Sequence, residues 1–188
     1  SETDFASRSG EVFGKVIDFE TSFELVDFKT ITEKNVADIG AEELVHVEAS
    51  FTEGLPGAVV FLLPKDATAR IVDYMIKSDG EVEFDPDDHL DGIREAVGEL
   101  MGHELTKLSE RIGISLRNEI RPARLMSSDE IKEDYIGCQA AKFNVEIHYK
   151  VQDVERTESF AMWKLIAPET GERLGEMLGD APEAGDED

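Results

Sequence analysis

The chain has 188 residues, 40% hydrophobic and 33% charged, enough for one well-packed core beneath a heavily charged surface. Its 43 acidic residues against 19 basic ones leave a formal charge of −24, which argues against a nucleic-acid partner, since phosphate backbones are bound by basic patches. No apolar run approaches the roughly 18 residues of a membrane span, and a single cysteine, Cys138, excludes an internal disulfide. The opening residues SETDFASRSG lack the apolar stretch of a signal peptide, and an unpaired cysteine suits a reducing compartment, so the cytoplasm is the expected location. The acid excess fits a salt-adapted surface, and equally a partner with basic features.

Residues 4–17 (DFASRSGEVFGKVI) read as a helix with Phe5, Val12, Phe13, Val16 and Ile17 on its buried side. Residues 23–31 and 43–51 alternate as strands, 52–57 make a turn, and AVVFLL (58–63) is a buried strand, so the last two strands should form an antiparallel hairpin. Pro64 ends that strand and 65–76 form a helix carrying Ala67, Ile71, Tyr74 and Met75. After the long helix described next, 114–126 is extended and broken by Pro122, and 127–130 open a loop or short helical turn. A strand over 143–151, a turn over 155–159, a buried strand over 160–166 containing the core residue Trp163, and a helix over 169–178 complete the order. Cys138 reads as a small structural or exposed thiol.

The long helix spans 85–113. Leu90, Ile93, Val97, Leu100, Met101, Leu105, Leu108 and Ile112 recur every three or four residues and so share one side. Asp85, Pro86 and two further aspartates suit a helix start, and Gly113 suits its end. A second row, Asp91, Glu95, Gly98 and Gly102, lies within roughly 60° around the axis, beside the apolar stripe. Each glycine costs about 1 kcal/mol relative to alanine in a helix, so the bare face calls for a reason. Close helix packing is one; an exposed acidic face accounts for the carboxylates alone.

The two halves repeat one another. FLLPKDATARIVDYMI (61–76) aligns with KLIAPETGERLGEML (164–178), pairing Pro64 with Pro168, and each follows two strands. Ser7, Glu11 and Gly14 match Asp91, Glu95 and Gly98 in spacing. An ordered set of helix, strands and helix occurring twice is a signal of fold. The expected architecture is α+β, with two pseudo-repeats (about 4–77 and 85–179) in one domain over 1–179, an antiparallel sheet with helices packed on one face and flanking it, and an acidic disordered tail over 180–188.

This layout, with the row on its long helix, resembles the CheC/CheX group of chemotaxis response-regulator phosphatases, related to the middle domain of the flagellar switch protein FliM. The group's signature is Asp or Ser, three residues, Glu, two residues, Asn, three residues, Gly. Here it reads Asp91-GIR-Glu95-AV-Gly98-ELM-Gly102. The resemblance covers nearly all of 4–178. It implies that the helix enters the active site of a phosphorylated CheY-type response regulator, with Glu95 paired to a lysine of the partner and Asp91 at the adjoining position. Phosphoryl transfer to water needs mostly positioning and charge stabilisation; the group's asparagine orients the water, the partner supplies the metal, and no cofactor is implied. Gly102 completes the partner-facing set, with Ser7, Glu11 and Gly14 as lesser candidates in the first repeat. Relatives of this kind pair, so a homodimer is among the expected partners.

Gly98 departs from the signature. Glycine has no carboxamide, and Glu99 and His103 each point about 100° or more away from it around the helix. Two functions follow from the resemblance, a regulator phosphatase and a non-catalytic binding or scaffold protein of the same fold. An acidic ligand-binding domain of another kind is a third. The histidines His46, His89, His103 and His148 show no metal-ligand spacing among themselves or with Cys138. No phosphate-loop, dinucleotide or nucleophile-elbow motif occurs.

Overall fold

The computed structural model describes residues 1–180. In chain order it contains α1 (Glu2–Ile17), β1 (Glu20–Thr30), a 3-10 turn (Val36–Asp38), β2 (Leu44–Glu53), β3 (Ala58–Leu63), α2 (Lys65–Met75), α3 (Pro86–Ile112), β4 (Arg117–Ile120), β5 (Arg124–Met126), α4 (Ser128–Asp134), β6 (Gln139–Val151), β7 (Val154–Ile166) and α5 (Pro168–Asp180). Of the tail expected over 180–188, Asp180 ends α5 and the rest lies outside the described residues.

One antiparallel sheet carries the strands in the order β1-β6-β7-β3-β2-β4, with β5 also paired to β2. Strands of the two halves therefore interleave, and the order reads the same from either end once halves are exchanged. The register agrees. The 104-residue offset between Pro64 and Pro168 carries the pair Val59–Ile166 onto Trp163–Leu62, which is itself in register across β3 and β7. The sheet has a pseudo-twofold axis through that strand pair. β1, with a bulge between Leu25 and Asp27, lies along β6 as β4 and β5 lie along β2. Pro122, which has no N–H to give a ladder, falls where the second-half edge is split.

The turn expected over 155–159 is strand instead. Gln152 and Asp153 make a two-residue hairpin loop with φ of 52° and 63°, both in the left-handed region. Such a loop matches the twist of its strands, and β7 begins directly after it at Val154. This hairpin extends past the packed sheet, so its tip carries charge rather than an apolar period.

Alternation along β3 explains its continuous apolar sequence. Val59, Phe61 and Leu63 point into a core with α1, α2 and α3, where Phe5, Phe13, Ile71, Ile93, Val97 and Met101 cover them. Val60 and Leu62 point to the other face, into a second core with Val36, Ile39, Ile131, Tyr135 and Trp163. Each large side chain buried in this way contributes about 1.5–3 kcal/mol. The long helices thus share one face as expected, and α4 with the 3-10 turn covers part of the other. Cys138 is buried in this second core, where burial pushes its thiol up. Trp163 lies there too, with the ammonium groups of Lys29 and Lys142 at 5.7 and 5.4 Å from its ring.

A buried lysine was not apparent in the apolar run FAMWKLI. Lys164 of β7 is 5% exposed. Its ammonium donates to Glu2 Oε2 at 3.1 Å and sits 3.9 Å from the centre of the Phe5 ring, pinning the first turn of α1 to the sheet.

Candidate functional site

α3 is 27 residues long, about 40 Å. Asp85 Oδ1 accepts the Asp87 N–H at 2.9 Å, and Pro86 stands at the first turn, where its missing N–H costs nothing. The buried His89 ring closes the start, Nδ1 accepting the Asp85 N–H at 2.9 Å. Gly113 ends the helix at φ 73°, its N–H donating to the Ser109 carbonyl. Ile93, Val97, Leu100, Met101 and Leu105 are buried, while Leu90, Leu108 and Ile112 pack at the core margin. Two contacts fix the helix sideways: the Arg94 Nε–H donates to the Ile120 carbonyl at 2.9 Å, and Arg8 of α1 donates to Glu104 Oε2 at 2.6 Å.

This packing turns the sequence row outward. Asp91, Glu95 and Gly102 are exposed, and Gly98 is half-buried. In the first repeat Ser7 and Glu11 are exposed and Gly14 is half-buried. α1 and α3 lie side by side, and an open cleft of roughly 800 Å³ runs between them. Glu11, Lys15, Glu95, Glu99 and His103 stand around it, Gly98 and Gly102 form the bare part of the α3 wall, and Val12, Val16 and Met75 supply apolar lining. The structure thus brings Glu11, Glu95, Gly98 and Gly102 together. Ser7, Gly14 and Asp91 do not line this cleft.

Gly14 and Gly98, equivalent in sequence, differ in space. A Cβ on Gly14 would lie 2.9 Å from the Phe19 carbonyl oxygen, so that glycine serves the contact of α1 with β1. A Cβ on Gly98 would meet Ile120 Cγ1 at 3.7 Å, ordinary contact, and one on Gly102 meets nothing within 4 Å. Close packing therefore accounts for Gly14 and not for Gly98 or Gly102. At Gly98 and Gly102 the wall of α3 has room for a Cβ without displacing a neighbour.

Val12 and Val16 belong to the apolar face of α1 and Met75 to that of α2, so their half-exposed setting was not separable from core by periodicity. Lys15 and Glu99 did carry a signal, each four residues after the matched glutamates Glu11 and Glu95. Lys107 approaches Glu110 at 3.8 Å, and His103 lines the cleft. Among the described residues no group of three or more His, Cys, Asp or Glu is arranged to hold a metal ion, and no helix is long and apolar enough to cross a membrane.

No family model matches the chain, and no curated protein matches it in sequence. Solved structures do match in three dimensions. FliY from Thermotoga maritima overlays with a TM-score of 0.69 at 23% identity, covering 93% of this chain and 89% of that one. The FliM middle domain from Helicobacter pylori gives 0.68 at 11% identity, covering 94% and 92%. This is a CheC/CheX/FliM-like fold. The chemotaxis protein CheX from Vibrio vulnificus overlays less closely, with a TM-score of 0.50 at 10% identity over 86% of this chain and 95% of that one. At these identities the likeness is one of fold. In the FliM-like fold of this chain, α3 is the helix that carries the row.

Proposed function

We propose that the chain acts in chemotaxis or related two-component signalling by docking, through Asp91, Glu95, Gly98 and Gly102 of α3, on a phosphorylated CheY-type response regulator. The fold likeness to FliY, FliM and the chemotaxis protein CheX supports the setting. The observation that carries the docking face is the accessibility of the row, with both carboxylates exposed, open space over Gly102 and only an ordinary contact with Ile120 at Gly98. In this proposal Glu95 meets a lysine of the partner, Asp91 lies one turn before it, and the exposed Ser7 and Glu11 are secondary contacts.

Hydrolysis by the route of the resembled phosphatases needs a carboxamide at position 98. The residues lining the cleft between α1 and α3 include no Asn or Gln, and Asn118 stands on β4 on the other flank of α3, not at position 98, so docking without that water-positioning step is favoured over phosphatase activity. A homodimer belongs to the same proposal, and sedimentation of the full chain reads it.

The test is the aspartyl-phosphate lifetime of a CheY-type regulator with and without the protein. Wild type should bind the phosphorylated regulator, lose that binding on Glu95→Ala, and leave the lifetime unchanged. Gly98→Asn should shorten the lifetime by about tenfold or more, a conservative floor below the roughly 10²–10⁴-fold that one positioned proton-transfer group contributes, and Glu95→Ala on that background should remove the gain. A wild type that already shortens the lifetime, with Glu95→Ala making no difference, would place the site elsewhere.

A further inference from the structure

A second cleft, of about 740 Å³, lies on the opposite flank of α3, between Thr106, Ser109 and Glu110 of the helix and Leu116 and Asn118 at the start of β4. It shares Gly102 and Thr106 with the first cleft. The two therefore form one trough that crosses α3 where the helix is bare. A rod laid there meets main chain at Gly98 and Gly102, which permits an axial separation near the short end, about 8 Å, of helix packing distances.

The trough has apolar lining on both sides of the crossing, Val12, Val16 and Met75 on one and Leu105 and Leu116 on the other. Its charge is one-sided. Glu11, Glu95 and Glu99 have no ion-pair partner among the described residues and face a single unpaired ammonium, Lys15; Arg117 is held by Glu53 at 3.0 Å. Between α1 and α3 the trough is walled by helices alone, and the edge strand β4 borders only its far side. At the crossing the Gly102 carbonyl oxygen also accepts from Thr106 Oγ1 at 3.0 Å. An extended peptide would leave its own N–H and C=O groups without partners there, whereas a helix satisfies them internally.

We infer that this trough receives an amphipathic helix of the protein partner, one whose apolar stripe is flanked by lysine or arginine. The inference rests on α3 being a docking face and adds which element of the partner enters it. The leucine stripe of such a helix covers Val12, Val16 and Met75, its turn passes over Gly98 and Gly102, and its basic flanks neutralise Glu11, Glu95 and Glu99.

The probe is a labelled model helix of about 14 residues, roughly 21 Å, with a leucine stripe and lysine flanks, titrated by fluorescence anisotropy against the full chain. Two peptides serve as comparators, one of the same composition scrambled to lose the stripe and one with the stripe and glutamate flanks. Salt at about 0.3 M suppresses general attraction to an acidic protein. The lysine-flanked helix should bind at least about tenfold more tightly than either comparator, and Gly102→Leu, which fills the crossing, should weaken it by about tenfold. Glu95→Lys with Glu99→Lys should do the same from the surface, with the fold checked by circular dichroism. Equal binding of the scrambled peptide, or an affinity within about twofold after Gly102→Leu, overturns the inference.

Binding of the phosphorylated regulator is measured on the same variants. Regulator binding that needs Glu95 yet ignores Gly102→Leu and the peptide overturns the helix inference and leaves the docking face standing. Peptide binding at the trough without regulator binding keeps the inference and removes the regulator. A wild-type protein that binds neither the peptide nor the regulator removes both.

Discussion

Alanine at Gly14, Gly98 and Gly102 separates packing from open surface within one helix-forming pattern. In a helix alanine is better than glycine by about 1 kcal/mol. At Gly98 the added methyl meets Ile120 at 3.7 Å and at Gly102 it meets nothing within 4 Å, so each substitution should stabilise by about 1 kcal/mol. At Gly14 it would lie 2.9 Å from the Phe19 carbonyl oxygen and 3.5 Å from the Thr21 nitrogen. Both atoms are backbone where α1 turns into β1, so the strand itself must move, and overpacking of this kind costs about 1–3 kcal/mol. The balance for Gly14→Ala runs from about neutral to about 2 kcal/mol destabilising. Urea unfolding should move the midpoint up for Gly98→Ala and Gly102→Ala but not for Gly14→Ala, with the slope unchanged in all three. Equal gains at Gly14 and Gly98 would refute the distinction between a packed row and an open one.

Two further predictions concern buried polar groups outside the cleft. His46, 6% exposed, stacks on Tyr135 at 6.2 Å with Nδ1 unpartnered. Burial, then the Arg124 guanidinium, holds its imidazole below the ordinary range against the opposing pull of Glu48 and Asp134. The unfolded chain takes up that proton near pH 6.5 and the folded one resists it, so the contribution is present above about pH 6.5 and lost as pH falls through the folded value. His46→Leu should flatten the fall in unfolding free energy between about pH 7 and 5; the same slope in both proteins would exclude His46 as its source. Separately, Glu2→Ala strands the Lys164 ammonium and should cost about 3 kcal/mol, with Lys164→Met added to it restoring most of the loss. Denaturation of the three variants checks this, and a cost for Glu2→Ala below about 0.5 kcal/mol would mean that the pair behaves as a surface one.

What was legible in the sequence was local. Asp85, Pro86 and Gly113 mark the ends of α3 because caps are read from a few adjacent residues. Pro64 and Pro168 mark two strand-to-helix corners, and the repeat follows from them. The hairpin at Gln152–Asp153 was not legible, because neither residue is the glycine or asparagine that usually signals positive φ. The partner of β1 was not legible either, since pairing with β6 is decided by the whole sheet. The row on α3 was visible as a pattern, and its exposure was not. Gly14 and Gly98 look alike in sequence and acquire different meanings only when backbone at the corner of α1 and β1 presses on one and the other meets only Ile120 at ordinary contact distance. The cleft itself needed both helices in place, which no periodicity within either one reports.

The interleaved strand order also bears on when the cleft can exist. β1 pairs along its whole length with β6, from Glu20–His148 to Thr30–Gln139, roughly a hundred or more residues downstream. α1 rests on β1 through Gly10 and Gly14, so one wall of the cleft is anchored through β1 to chain that is synthesised well after it. Closing so long a loop has to precede the contacts that reward it. A nascent first half, even with α1 already helical, has no surface on which to dock that helix against α3. The acidic trough is therefore absent from partly made chains, and partner binding reports that the second half has been built and folded.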